Sequence, residues 1–130
     1  MMSVTTLCQA EPIFVVVSKS NPISQLTKMQ VVDIYMGRYI IFPNGKPVTP
    51  LDLGGDSETK KNFYKLLVDK DIANINAYWA RLLFSGRANP PETVDSIDVL
   101  LARVRTNDRL LAYVPEAEID ESVKIVFELK

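Results

Sequence analysis

The sequence predicts an α/β domain, a small mixed β-sheet flanked by helices, and three features carry that prediction. Ile13 to Val17 is a continuous apolar run rich in β-branched residues, the pattern of a strand buried on both faces. Ile72, Ile75, Trp79 and Leu82 recur at helical spacing, with Tyr78 and Leu83 widening the stripe. Leu110 to Val114 and Val123 to Leu129 supply two more strands near the C-terminus, the second alternating well enough to leave one face exposed. In chain order the elements run β-α-β-α-α-α-β-β.

Between the first strand and the Trp79 helix the signals are local. Ser18-Lys19-Ser20-Asn21-Pro22 breaks the strand, and Ser24 can cap a helix from about Gln25 to Met36. That helix turns Leu26, Met29, Val32 and Met36 to one side, and Gly37 ends it. Phe42-Pro43-Asn44-Gly45 is a turn. Pro47 to Leu53 reads as a second strand, whose prolines favour an edge position or a strand start. A loop, Gly54-Gly55-Asp56, leads to a helix with Phe63, Leu66 and Leu67 inward. Asp69 to Asp71 links this helix to the next. Gly86 and Pro90-Pro91 stop the Trp79 helix. Asp95 or Ser96 can cap a last helix with Ile97, Leu100, Leu101 and Val104 inward, and Glu118 to Glu121 is a polar link.

A chain of 130 residues, 47% hydrophobic and 24% charged, forms one domain able to bury a core. Residues 11–130 are assigned to that domain. Residues 1–10 read either as the remnant of a secretory signal, with small Cys8 and Ala10 where a signal peptidase would read them, or as a disordered N-terminus. A net charge of −1 gives no reason to expect nucleic acid or an anionic membrane as partner. Without a single His, the usual general base and the commonest metal ligand are missing. The acidic residues show no metal-loop spacing, so neither catalysis nor a metal or other cofactor is expected.

One stretch can hold a ligand by ordinary physics. In Gly54-Gly55-Asp56-Ser57-Glu58-Thr59-Lys60-Lys61 a strand feeds a glycine loop and a helix start, which offers free backbone N–H groups and a positive dipole end. Ser57 and Thr59 can donate to an oxyanion, and Lys60 or Lys61 can add charge. The competing role for Asp56 or Ser57 is to cap the helix. Ser18 and Ser20, at the end of the first strand, are a second candidate for the same crevice, against the simpler role of a polar turn.

The run Tyr78-Trp79-Ala80-Arg81, Phe84, Gly86-Arg87 and Pro90-Pro91 resembles the short, single-lobe members of the phosphate ABC-transporter substrate-binding protein family. The resemblance continues through Val15 to Pro22, Asp33 to Arg38 and Phe42 to Gly45, and covers nearly everything from Ile13 to Val114. It implies one lobe of a type II periplasmic binding protein. In phosphate-binding relatives the loop carries an Arg, three residues, then Ser-Gly-Thr. Ser57 and Thr59 match the hydroxyl residues, whereas Leu53 replaces the Arg and Glu58 the Gly. The resemblance thus implies a non-catalytic, periplasmic protein binding phosphate or a similar small oxyanion through Ser57 and Thr59; Glu58 and Lys60 share that helix start, and Ser18 and Ser20 complete the candidate site. An ABC transporter or a sensor would be its partner in transport or sensing, and a homodimer could supply the missing wall. The alternative, motivated by Leu53 and Glu58, is a lobe that has lost its ligand and serves as a protein-interaction or sensory accessory module.

Overall fold

The computed structural model describes residues 11–55 and 57–130. The expectations for residues 1–10 and for Asp56 as a cap fall outside them. Strand β1 (Ile13–Ser18) is buried along nearly its whole length, as its apolar run requires. It runs antiparallel to β4 (Leu110–Pro115) on one side and to β5 (Val123–Leu129) on the other. The five-stranded sheet has the order β3-β2-β4-β1-β5, with β2 (Thr49–Leu53) parallel to both β3 (Glu92–Val94) and β4. Only β1 runs against the rest, so the sheet is mixed as expected.

Four helices cover it: α1 (Lys28–Tyr35), α2 (Glu58–Val68), α3 (Ile72–Ser85) and α4 (Ile97–Arg105). The step from β2 out to β3 and the step from β3 back across β2 to β4 go in opposite directions. Right-handed crossovers therefore place α2 and α3 on one face and α4 on the other. None of the described helices is long and apolar enough to cross a membrane.

Several elements differ from the sequence reading. Helix α1 starts at Lys28, capped by Thr27 rather than Ser24, because Thr27 and Gln30 form a reciprocal capping box. Leu26 still reaches the core, but from extended backbone, its N–H donating to Val126 O at 2.8 Å. The face of α1 turned inward carries Val31, Ile34 and Tyr35, and Met29 is 63% exposed. Leu83 of α3 is likewise exposed, while Ile75 and Trp79 are buried. Strand β2 is interior, not an edge. Pro50 is tolerated at its second residue because it precedes most of the pairing with β3.

Strand β3, three residues long, is an addition to the expected order. The alternation expected of β5 is broken by a bulge: Val15 lies opposite Phe127 and Val16 opposite Ile125, so Val126 has no counterpart on β1. The buried residues Val123, Val126 and Leu129 then fall at every third position.

Candidate functional site

Parallel strands β2, β3 and β4 end on the same side of the sheet, and the Gly54–Ser57 loop leaves β2 there for the start of α2. Gly55 turns the chain with φ +70°, a conformation glycine takes without strain. Ser57 has extended backbone and caps α2, its Oγ accepting from the Lys60 N–H at 3.1 Å. The Ser57 hydroxyl keeps a proton to donate, and by helix geometry the first backbone N–H groups of α2 point beyond its N-terminus. Thr59 is half-buried, and its hydroxyl enters no hydrogen bond among the described residues. Glu58 is exposed and lies 3.4 Å from Lys61 Nζ.

Lys60 turns towards the sheet. Its side chain is 13% exposed and Nζ lies 3.9 Å from Asp52 Oδ2. Asp52 is a buried carboxylate that the sequence reading passed over. Its Oδ2 accepts from Tyr64 OH at 2.6 Å, and its Oδ1 accepts from Tyr113 OH and from the Leu53 N–H at 2.9 Å. The Leu53 N–H also reaches Tyr113 Oη at 3.1 Å. Burial, and next the Asp52 charge, push the Tyr64 and Tyr113 hydroxyls well above their ordinary pKa, so both stay protonated donors.

The aromatic rings around this carboxylate pack tightly. Phe63 stacks on Tyr113 with centroids 3.8 Å apart, and Tyr35 meets Phe63 edge-on at 4.7 Å. The Tyr35 hydroxyl donates to Leu51 O at 2.8 Å and approaches Leu111 O at 3.2 Å, one carbonyl from each of the adjoining strands. These hydroxyls join β2 to β4 beyond the pairing at Thr49 and Pro50. A signal for Asp52 was present in the sequence: Tyr64 and Tyr113 lie at apolar positions, and their hydroxyls need buried partners.

Beside Lys60, α3 and the β3 edge enclose a cleft of about 410 Å³ lined by Asp52, Asn76, Trp79 and Thr93 among others. Trp79 Nε1 is buried with no partner among the described residues.

The structure does not bring Ser18 and Ser20 to this end. Because β1 is antiparallel to β4, Ser18 lies near Leu110, where β2 begins, while Ser57 follows the end of β2. At that far end Ser18 Oγ lies 3.0 Å from Ser20 Oγ, Ser20 donates to Asp108, and Asn21 Nδ2 donates to Asp108 O at 2.8 Å. The cluster closes the turn after β1. Ser57, Glu58, Thr59 and Lys60 do share one helix turn.

No protein-family profile and no curated protein sequence matches the chain. Solved structures do. An ABC-type phosphate transport receptor from Vibrio cholerae superposes with a TM-score of 0.70 at 18% identity, over 89% of this chain and 45% of that one. A protein classed as a phosphate ABC transporter substrate-binding protein, from Clostridium perfringens and with bound phosphate, gives 0.70 at 20% identity, over 89% and 44%. PstS from Borrelia burgdorferi gives 0.65 at 12% identity, over 89% and 46%. The chain spans less than half the length of these structures. It has the fold of one lobe of a phosphate-transporter substrate-binding protein, as the sequence resemblance implied.

Proposed function

We propose that the protein is a non-catalytic binding domain of the periplasm that takes a small oxyanion, phosphate or a close relative, at the α2 start, for transport or sensing. The observation that carries this reading is the position of that helix start. It lies at the ends of the parallel strands, in a fold whose Vibrio cholerae counterpart is a phosphate transport receptor. Two hydroxyls, Ser57 and Thr59, and the first backbone N–H groups of α2 are the donors; an ABC transporter or a sensor is the proposed partner.

No guanidinium stands at Leu53, and Lys60 is held by Asp52. A few charge-assisted hydrogen bonds and one helix dipole then give a Kd of roughly a millimolar for a single copy. A homodimer that closes a second wall over the site would tighten it.

Calorimetric titration with phosphate, with sulfate as control, tests the reading on wild type and on Ser57→Asp. Aspartate keeps the helix cap but sets a negative charge against the anion. Saturable phosphate heat that vanishes in Ser57→Asp, with its melting temperature retained, is expected. No heat at millimolar phosphate from folded protein would overturn it.

The second reading, a protein-interaction module, is favoured by a specific observation: the site's nearest cation is already paired with Asp52, and Glu58 stands exposed among the anion donors.

A further inference from the structure

Helix α1 and its C-cap Met36 carry apolar residues on two faces, one buried throughout and the other reaching the core through Met36 while leaving Met29 exposed. Val31, Ile34 and Tyr35 are buried against the sheet side. Met29, Val32 and Met36 also recur at helical spacing. With Leu67, Val68 and Tyr78 they line an open groove of about 500 Å³ between α1, the end of α2 and α3. Met36 and Leu67 form its floor, Val32 and Val68 are half-buried, and Met29 stands 63% exposed at the mouth. The Tyr78 hydroxyl donates to Met36 O at 2.7 Å, so α3 is fixed against α1 and the groove is preformed.

The charged residues lining the groove are Lys28, Arg38 and Lys70, with no carboxylate among them. Among the described residues, Lys28 and Lys70 form no ion pair, and Arg38 shares Asp33 at 3.4 Å. The nearby Asp69 is engaged by Lys65 at 2.9 Å. An apolar channel between helices with a cationic rim is complementary to an amphipathic helix bearing acidic flanks. Two methionines suit such a surface, because their unbranched side chains adapt to the partner's anchors. A membrane surface fits less well: the groove is concave, and the chain's net charge of −1 offers no long-range attraction to anionic lipid.

We propose that this groove docks an acidic amphipathic helix of a partner protein. The inference rests on the protein-interaction reading and is independent of the oxyanion site.

The test is a selection from displayed amphipathic helical peptides of unbiased charge, against the 130-residue chain. Anisotropy titrations of the enriched peptides follow, with wild type, Met29→Asp and the double variant Lys28→Glu/Lys70→Glu. All three positions are exposed, and an acidic residue in the first turn of α1 suits the helix dipole, so melting temperatures should be retained. The expected result is enrichment of acidic peptides with Kd of about 10–100 µM. Met29→Asp should weaken them about tenfold or more. The charge reversal should weaken them about as much and flatten the salt dependence.

Enrichment of basic or uncharged peptides would overturn the proposal. Binding unaffected by Met29→Asp would overturn the groove and leave the interaction reading standing, whereas no enrichment would remove both. Met29-dependent binding to vesicles of anionic phospholipid would assign the groove to a membrane instead. Met29-dependent self-association would assign it to a second copy of the chain.

Discussion

Replacing Asp52 by Ala removes the common acceptor of two buried tyrosine hydroxyls and the only carboxylate near Lys60 Nζ among the described salt bridges. Tyr64 and Tyr113 are both inaccessible, so their donors have no water to turn to. Each stranded hydroxyl costs about 1–3 kcal/mol. The Leu53 N–H keeps a partner in Tyr113 Oη and adds little. Lys60 is the smaller loss, since at 3.9 Å its contact with Asp52 is long and the side chain can swing outward. The two hydroxyls together give about 2–6 kcal/mol, a range that brackets the cost of breaking a buried charge network.

Urea unfolding followed by circular dichroism measures it. With a slope of about 1.5–2 kcal/mol per molar for a chain of this size, the midpoint should fall by roughly 2 M. A second arm isolates the mechanism. Tyr64→Phe, whose hydroxyl bonds only Asp52 among the described residues, should cost about 1–2 kcal/mol in wild type and nothing in the Asp52→Ala background, since its acceptor is then already gone. A loss below about 1 kcal/mol for Asp52→Ala, or an undiminished cost of Tyr64→Phe beside it, would refute the network as the link between β2, β4 and α2.

Other perturbations follow from single contacts. At Gly37, φ is +75° and an added Cβ would lie 2.6 Å from Trp79 Cη2, so Gly37→Ala should destabilise by roughly 2–4 kcal/mol in the same urea assay. Ser57→Ala should cost about 1 kcal/mol through loss of the α2 cap, against little change for Ser57→Asp, as read by melting temperature. Arg103 binds Glu92 through both of its terminal nitrogens, and these hydrogen bonds hold the Glu92 carboxyl below its ordinary pKa. A folded pKa below the unfolded value stabilises at neutral pH and loses that contribution as pH falls through the folded value. Glu92→Gln should therefore be less stable than wild type by some tenths of a kcal/mol, at most about 1, at pH 7. The difference should vanish in acid below the usual carboxylate range, as unfolding at a series of pH values would show.

What the sequence made legible was whatever has a strong period or a strong stop. The β1 run, Ile75 and Trp79 on α3, the Gly86 terminus, and Leu100, Leu101 and Val104 on α4 are where the residues place them. Leu26 and Met36 are buried as expected, but Met29 is exposed and the Val31, Ile34 and Tyr35 face was missed, because both faces of α1 are apolar and periodicity alone cannot say which stripe meets the sheet. Strand β3 is too short for a pattern, and exists because β2 offers it a parallel ladder. At the candidate site, Ser57 was legible both as a cap and as a donor, and the cap is realised. The separation of Ser18 and Ser20 from Ser57 depends on β1 running against β4, a direction that no local residue pattern encodes.

That reversed direction of β1 has a practical consequence for watching the candidate site at work. Ile13 pairs with Leu129 on one side and Pro115 on the other, so β1 begins and β5 finishes on the side of the sheet where β2 delivers the Gly54–Ser57 loop. Strand β5 is three places from β2, which at about 4.8 Å per strand is roughly 14 Å across the sheet. A fluorophore attached after Lys130 would therefore sit within quenching distance of whatever enters the loop. Tethering the protein to a sensor chip through the same end would instead press the loop against the support, and would suppress the binding it was meant to record.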